Sequence, residues 1–321
     1  MWQPAAVASG GNPSFQPERF NGTERWAASG TLDAVTPLTD YVQADREFQT
    51  WKLTVAYDGT DFQGWQVQPG LPTIQGELQA ALGRVTSESP LPQGSGRTDA
   101  GVHALAQVAS FTLRAPIPAE NLHRALNRTL PSAIRVLGAT TVPSTFHARH
   151  SAVAKTYEYR IFREMICPPF LARYVYACPW QLDMDRLQAC ARIFEGEHDF
   201  QSFAANDPDL SERNGAGVEF ADDAPTPKIA PPSTVRALYS SAWELRSSDA
   251  GAVLVYRARG NGFLHHMARN LVGTMLDVSR GQLGLEEIPG ILAARDRSVA
   301  GPTAPARGLF LRSVEYDLRA L

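Results

Sequence analysis

Cysteine is scarce in this sequence. Three occur in 321 residues, Cys167, Cys178 and Cys190. The number is odd, none stands in a CxxC pair, and no ligand cluster surrounds them. That excludes a disulfide framework and a zinc module, and it fits free thiols in a reducing compartment. A cytoplasmic protein is the expectation. No apolar run approaches the roughly 18 residues needed to cross a bilayer, so no membrane partner is expected. The opening residues, MWQPAAVASGGNPSF, lack the charged-then-apolar order of a secretory signal. A glycine loop opening a helix, of the kind that cradles nucleotide phosphates, is also missing, as is any short internal repeat.

Positive charge is short overall. The formal net charge is −3, which argues against a nucleic-acid partner. Its distribution argues the other way. Residues 1–48 carry −3 and residues 205–234 carry −4, which leaves +4 on the remainder. The first segment is rich in Pro, Gly, Ser and Ala without periodicity and is expected to be a disordered extension. The second is acidic, proline-rich and poor in apolar residues, and is expected to be a surface insertion.

Between these segments the pattern is regular. Trp51, Leu53, Val55 and Tyr57 alternate as a strand that begins near Phe48. Ile74, Leu78, Ala81, Leu82 and Val85 follow helical spacing behind Thr73 as N-cap. A strand over 104–112, a helix over Pro118–Leu130 and a strand over 134–141 follow. A second unit starts with a strand at Lys155 and a helix over Met184–Phe194 behind Asp183. Strands over Val235–Leu245 and Ala252–Ala258 come next, then a helix over Leu264–Val278 stopped by Gly281, and a last strand over Leu309–Tyr316. Strand–helix–strand repeated twice, with half-buried strands, predicts an α+β fold with antiparallel-rich sheets backed by helices on one face. The expected domains are 49–150 and 151–321.

The chemistry concentrates in GSGRTDAGVH, residues Gly94–His103. Glycines make a tight loop that leads into a strand, and Arg97 and Asp99 stand two residues apart inside it. Asp99 in isolation reads as a turn cap bonded to its own loop amides. With an arginine beside it, it also reads as a charged, oriented carboxylate suited to nucleophilic or general-base work. Three other stretches mix aromatic, amide and basic groups. YDGTDFQGWQ spans Tyr57–Gln66. FHARHSA, Phe146–Ala152, precedes Lys155 and Tyr157. GNGFLHHMARN, Gly260–Asn270, opens the long helix. Basic and aromatic residues interleaved in this way suit phosphate contact and base stacking. Each has a plain alternative: Trp65 as core, Tyr157 and Tyr159 as one buried and one exposed strand residue. His265 and His266, being adjacent, are expected on different sides of the helix and make a poor metal pair.

Taken together, YDGTDFQGWQ, GRTDAGVHA, FHARHSAVAKTYEY, FLHHMARN and AGPTAPARGLFL, in this order over residues 50–318, resemble the tRNA pseudouridine synthase A family. The resemblance implies isomerisation of uridine to pseudouridine at positions 38, 39 and 40 of the tRNA anticodon stem-loop, without cofactor or metal. It implies two related α/β domains that form one mixed, mainly antiparallel sheet with the active cleft between them, and a homodimer that grips tRNA. By the same resemblance Asp99 is the catalytic aspartate, acting at ribose C1′, at the base or on a proton. Arg97 pairs with it and helps hold the flipped nucleotide. Tyr157 stacks on the uracil and is a candidate to carry the C5 proton, Arg269 bridges to the aspartate, and Leu309 lines the apolar wall. His103 and Phe146 are further expected substrate contacts, and Arg149, Lys155, Arg124 and Arg128 expected phosphate contacts. Flipping a base costs a few kcal/mol, which stacking on an aromatic ring offsets by roughly 1–3 kcal/mol. The 1–48 extension and the long 205–234 insertion depart from the compact family pattern.

Two rivals frame the reading. A non-catalytic RNA-binding module predicts loss of Asp99, Arg97 or Tyr157, and all three are present. A glycoside hydrolase needs a second carboxylate about 5–10 Å from the first, for which Asp58 and Asp61 are the obvious residues.

Overall fold

The first ordered strand, β1 (Gln49–Tyr57), shows why a sheet forms here. Its residues alternate between fully buried and half-buried, the period of a pleated surface with one face on a core. In the computed structural model, which describes residues 47–205, 233–248 and 251–317, β1 lies between β4 (Ile134–Val142) and β3 (His103–Leu113), antiparallel to both. Trp51, Leu53 and Val55 face Ile74, Leu78 and Leu82 of α1 (Ile74–Thr86) and Leu122 and Leu126 of α2 (Ala119–Thr129) within one core. Thr73 caps α1 as expected, its hydroxyl accepting from the Gly76 N–H.

The second half repeats the scheme. β5 (Ala152–Phe162), β9 (Gly251–Gly260), β8 (Val235–Ser248) and β7 (Gly196–Asp199) run antiparallel in that order. α3 (Met184–Ile193) starts behind Asp183, whose carboxylate accepts from the Asp185 and Arg186 N–H groups. It packs on β8 and on α4 (Met267–Ser279). A short α5 (Ile288–Ala294) follows, which the periodicity did not announce, and so do the two-residue strands β2 (Gln93–Gly94) on β3 and β6 (Tyr176–Ala177) on β5.

Joining the halves is the last strand, β10 (Leu309–Tyr316). It inserts between β3 and β5 and gives the order β4-β1-β3-β10-β5-β9-β8-β7. Its contact with β3 is parallel and only two pairs long, Phe310 opposite His103 and Leu311 opposite Ala104. What reads as two antiparallel sheets is one sheet, because a single strand from the chain terminus bridges them. Arg46–Leu321 is accordingly one compact unit. The expected extension and insertion lie outside the described residues except at their flanks.

The long helix differs from expectation at its start. It begins at Met267 rather than Leu264, because His266 adopts a left-handed conformation with φ 59°. Gly281, φ 71°, follows its C-terminus as predicted. α4 is tied to the segment before β10. The Asn270 side chain donates to the Phe203 carbonyl at 2.7 Å and its oxygen accepts from Thr303 at 2.6 Å. At Gly273 the helix backbone presses on the Pro302 carbonyl with no room for a Cβ. Gly273→Ala is therefore expected to force helix and segment apart and to cost about 1–3 kcal/mol, read as a lowered unfolding midpoint in denaturant at unchanged slope.

Candidate active site

Asp99 sits on a loop that has little freedom. The loop's Thr98 carbonyl accepts from the Trp65 N–H at 3.0 Å, and Gly101 N–H donates to the Phe62 carbonyl at 3.3 Å. Ser95 Oγ donates to Gln107 Oε1 at 2.6 Å, and Tyr57 and Thr98 share a hydroxyl bond of 2.8 Å. The YDGTDFQGWQ stretch is thus the bed on which the aspartate loop lies. Gly64, at φ 86°, lets the two backbones meet, since any side chain there would run into the Thr98 carbonyl. The glycines of the loop itself serve packing: a Cβ on Gly94 would enter the Trp65 indole, and Gly101 holds φ 75°. Trp65 is core, as its plain reading had it.

Across from this loop, the start of α4 delivers three cationic or basic groups to the carboxylate. Arg269 Nη1 donates to Asp99 Oδ2 at 2.8 Å while its Nε donates to the Ala304 carbonyl at 2.7 Å. His266 Nε2 lies 3.3 Å from the same oxygen and His265 Nε2 3.6 Å from the other. The two imidazoles lie with centroids 4.0 Å apart and planes tilted by 38°. Adjacent residues on a helix would diverge. These precede the helix, and the left-handed turn at His266 points both rings the same way. The expectation that they face different sides is corrected on that ground. The three ligand-type atoms lie within 4.8 Å of one another, but a dication there would share its carboxylate oxygen with the Arg269 guanidinium, an unfavourable neighbour.

A cleft of about 680 Å³ opens around this cluster, lined by Arg97, Asp99, Arg149, Lys155, Tyr157, Phe263 and Leu309 among others. Tyr157 meets Phe263 edge-on at 4.7 Å. Burial, with Tyr57 and the Asp99 charge adding to it, pushes its hydroxyl far above the ordinary phenol range. Lys155 Nζ donates to the Ser95 carbonyl at 2.5 Å. Burial, then the Arg149 and Arg236 charges, lowers its pKa to about 8.

Several expected site residues stand elsewhere. His103 is a buried tie and not a cleft residue. Its Nδ1 accepts the Gly59 N–H at 3.1 Å, so Nε2 carries the proton and faces the Arg173 and Arg307 carbonyls at 3.0 and 3.2 Å. Burial holds this ring's pKa below the usual imidazole range. Phe146 belongs to a small separate cluster with Val108 and Ala148, its ring 5.0 Å from Tyr316. Both corrections have one cause: an apolar or aromatic motif residue next to a functional loop is as useful for holding the loop as for touching a ligand. Arg97 is exposed at the cleft, and Arg269 bonds to Asp99. Arg124 and Arg128 line a different groove, along α2 with Asn121, outside the cleft. Asp58 and Asp61 bind Arg173 at 3.5 and 2.8 Å, and Asp58 also accepts from Tyr174 at 3.0 Å. Neither lines the cleft, and among the described residues Asp99 is the single carboxylate that does. The paired-acid hydrolase finds no second acid among them.

Comparison with known proteins shows the family. A family model described as tRNA pseudouridine synthase matches residues 53–151 and 219–317. The chain is 50% identical over 266 residues to tRNA pseudouridine synthase A of Solibacter usitatus, covering 83% of this chain and 98% of that protein. It is 43% identical over 267 residues to the protein of the same name from Moorella thermoacetica, with 83% and 98% covered. For that of Bacillus pumilus the identity is 41% over 268 residues, again with 83% and 98% covered. The two matched stretches are those that carry Asp99 and Arg269 to their meeting point, and the chain belongs to the tRNA pseudouridine synthase family.

Proposed function

We propose that this cleft isomerises uridine to pseudouridine in the tRNA anticodon stem-loop, at positions 38, 39 and 40, with Asp99 as the reacting carboxylate. The observation that carries it is the lone cleft carboxylate, clamped by Arg269 at 2.8 Å and facing a buried tyrosine. The reaction breaks the N1–C1′ bond, turns the uracil and joins C5 to C1′. Arg269 fixes Asp99 and shares its charge. Tyr157 and Phe263 offer an apolar, aromatic wall for a flipped base, and Leu309 closes it. Arg97, Arg149 and Lys155 supply the rim with positive charge for the backbone. Arg124 and Arg128 on α2 extend that charge as a second, outlying contact.

The rest of the reading belongs to the same proposal. Two related domains meeting near residue 150 are supported by the family match in two stretches. A homodimer is supported by Met165, Ile166 and Phe170, three apolar side chains exposed on the loop after β5. A cytoplasmic location is supported by three free thiols.

Two measurements bear on this. Purified protein is incubated with unmodified tRNA carrying uridine at 38 to 40, and pseudouridine is mapped by chemical derivatisation and primer extension. Wild type is expected to modify those positions and Asp99→Ala to leave them as uridine. Retained tRNA binding with no product from wild type sinks the proposal. The second concerns Lys155. A lysine with a lowered pKa is charged below about pH 8 and loses its charge as pH rises through that value, so tRNA affinity is expected to fall between pH 7 and 9. Lys155→Gln should bind more weakly at pH 7, with a salt slope about one unit shallower, and should show a flat pH response. Identical pH responses in the two proteins would remove Lys155 from the phosphate contacts.

A further inference from the structure

β3 carries a glutamine at a position where packing alone would ask for an apolar side chain. Gln107 stands opposite Val55 of β1 in the sheet and is fully buried. A buried amide costs free energy unless its polar atoms are bonded, so its partners show what it is for. Ser95 Oγ donates to Gln107 Oε1 at 2.6 Å, and the Val108 N–H donates to the same oxygen at 3.2 Å. Gln107 Nε2 donates to the Gly96 carbonyl at 2.8 Å. The amide can be turned only this way, because a backbone N–H donates and a carbonyl accepts. Gln107 is also within bonding reach of the Tyr57 hydroxyl, which pairs with Thr98. Apart from Val108 and Tyr57, these partners belong to the loop that bears Asp99. β3 bulges beside Gln107, with one extra residue between Gln107 and Ala104 opposite Val55 to Tyr57. Bulges of this kind re-aim side chains next to active sites.

The two arms of the loop are held differently. After Asp99 the ties run from backbone to backbone. Val102 N–H donates to the Asp99 carbonyl at 3.1 Å, and Gly101 N–H to the Phe62 carbonyl. Before Asp99, backbone bonds hold Ser95, on the Val108 carbonyl at 2.7 Å, and Thr98, on the Trp65 N–H. Between them comes Gly96, of the residue type with the most backbone freedom. The bond described for its carbonyl is the one from Gln107. Lys155 holds the Ser95 carbonyl from the other half of the sheet.

We infer that Gln107 is a positioning residue for the reaction: its amide locks the Ser95–Gly96 arm of the loop, so that Asp99 stands against Arg269 before a substrate arrives. This rests on the pseudouridine synthase reading above. Gln107 lies outside the cleft lining and acts only through the loop. Losing its bonds lets Gly96 turn and Asp99 wander, which slows the chemical step and leaves the tRNA-binding rim as it was.

The test compares wild type with Gln107→Leu, Ser95→Ala, the double variant and Gln107→Glu. Single-turnover pseudouridine formation at saturating protein is measured beside tRNA affinity, in samples that circular dichroism shows to be folded. Gln107→Leu is expected to slow the step about 10- to 100-fold at wild-type tRNA affinity. Ser95→Ala should lose less, and the double variant no more than Gln107→Leu, because the two share a bond. Gln107→Glu supplies a readout that a packing role would not move. A neutral glutamic acid keeps a donor for Gly96 and an acceptor for Ser95, whereas its carboxylate has no donor. Burial raises the pKa of such a carboxyl, so it is neutral at the acid end and charges as pH rises. The ratio of the Gln107→Glu rate to the wild-type rate should therefore approach one at low pH and fall with rising pH. Gln107→Leu should show a deficit that does not change with pH. Should the leucine variant fold poorly, the pH response of Gln107→Glu gives the same reading. A wild-type rate in Gln107→Leu overturns the inference. So does a loss that appears only as weaker tRNA binding, or a Gln107→Glu deficit that is the same at every pH. Failure of wild type to make any pseudouridine overturns the underlying function instead.

Discussion

The bond between Asp99 and Arg269, 2.8 Å long and spanning 170 positions of sequence, is the contact on which the site depends. Each partner is mostly shielded from water, with side-chain exposures of 17% and 15%. Removing either leaves the other charged and poorly solvated, a state that costs far more than the pair gains. Each is held by its own scaffold: Asp99 by the loop after β1, Arg269 by the Ala304 carbonyl and the segment before β10. The carboxylate therefore points where two independent halves agree that it should. A catalytic group needs that kind of preorganisation, because reorienting it during the reaction would add to the barrier.

Much of this was legible in sequence because it is local. Alternation marked β1, β5 and β10, and Thr73 and Asp183 marked helix starts whose side-chain bonds are present. GRTDAGVHA marked the loop. The unread parts are of two kinds. Some depend on contacts between distant segments, such as β10 slotting between β3 and β5, for which no local pattern exists. Others turn on one backbone angle. His265 and His266 were expected to diverge on a helix, and the single left-handed residue before Met267 reverses that. His103 and Phe146 are buried outside the cleft lining, because a motif shows which residue types are required and not which atoms they serve. Arg97 and Arg269 were both read as partners of the aspartate, and the 2.8 Å bond is the one that comes from the far half, from Arg269.

Charge illustrates the same point. The acidic total says little about the cleft, whose described lining holds one carboxylate. Asp58 is occupied by Thr60, Tyr174 and Arg173, and Asp61 by Arg173. At the cleft itself three basic rim groups face one carboxylate that is already paired. A polyanion approaching this mouth meets a local field opposite in sign to the chain's net charge, and at ordinary salt only charges within about 8–10 Å matter.

The strand at the centre, β5, carries this arrangement to both faces of the sheet. Lys155 and Tyr157 point into the cleft, while Glu158 points to the opposite face, fully buried. Burial opposes the charge on Glu158, yet Arg160, Arg257 and Arg312 bond to its oxygens at 2.8, 2.9 and 2.8 Å and hold the carboxyl below its usual range. These three arginines come from β5, β9 and β10. A one-residue slip of β5 against its neighbours would turn Glu158 toward Asp99 and put two carboxylates in the cleft, while Tyr157 would face the arginines. Such a slip breaks the Glu158 bonds to Arg257 and Arg312 on the neighbouring strands and leaves the carboxylate only Arg160 of its own strand. The ion cluster on the far face thus fixes the register that keeps the cleft at one carboxylate and one tyrosine, and the chemistry at Asp99 depends on a carboxylate that never touches the substrate.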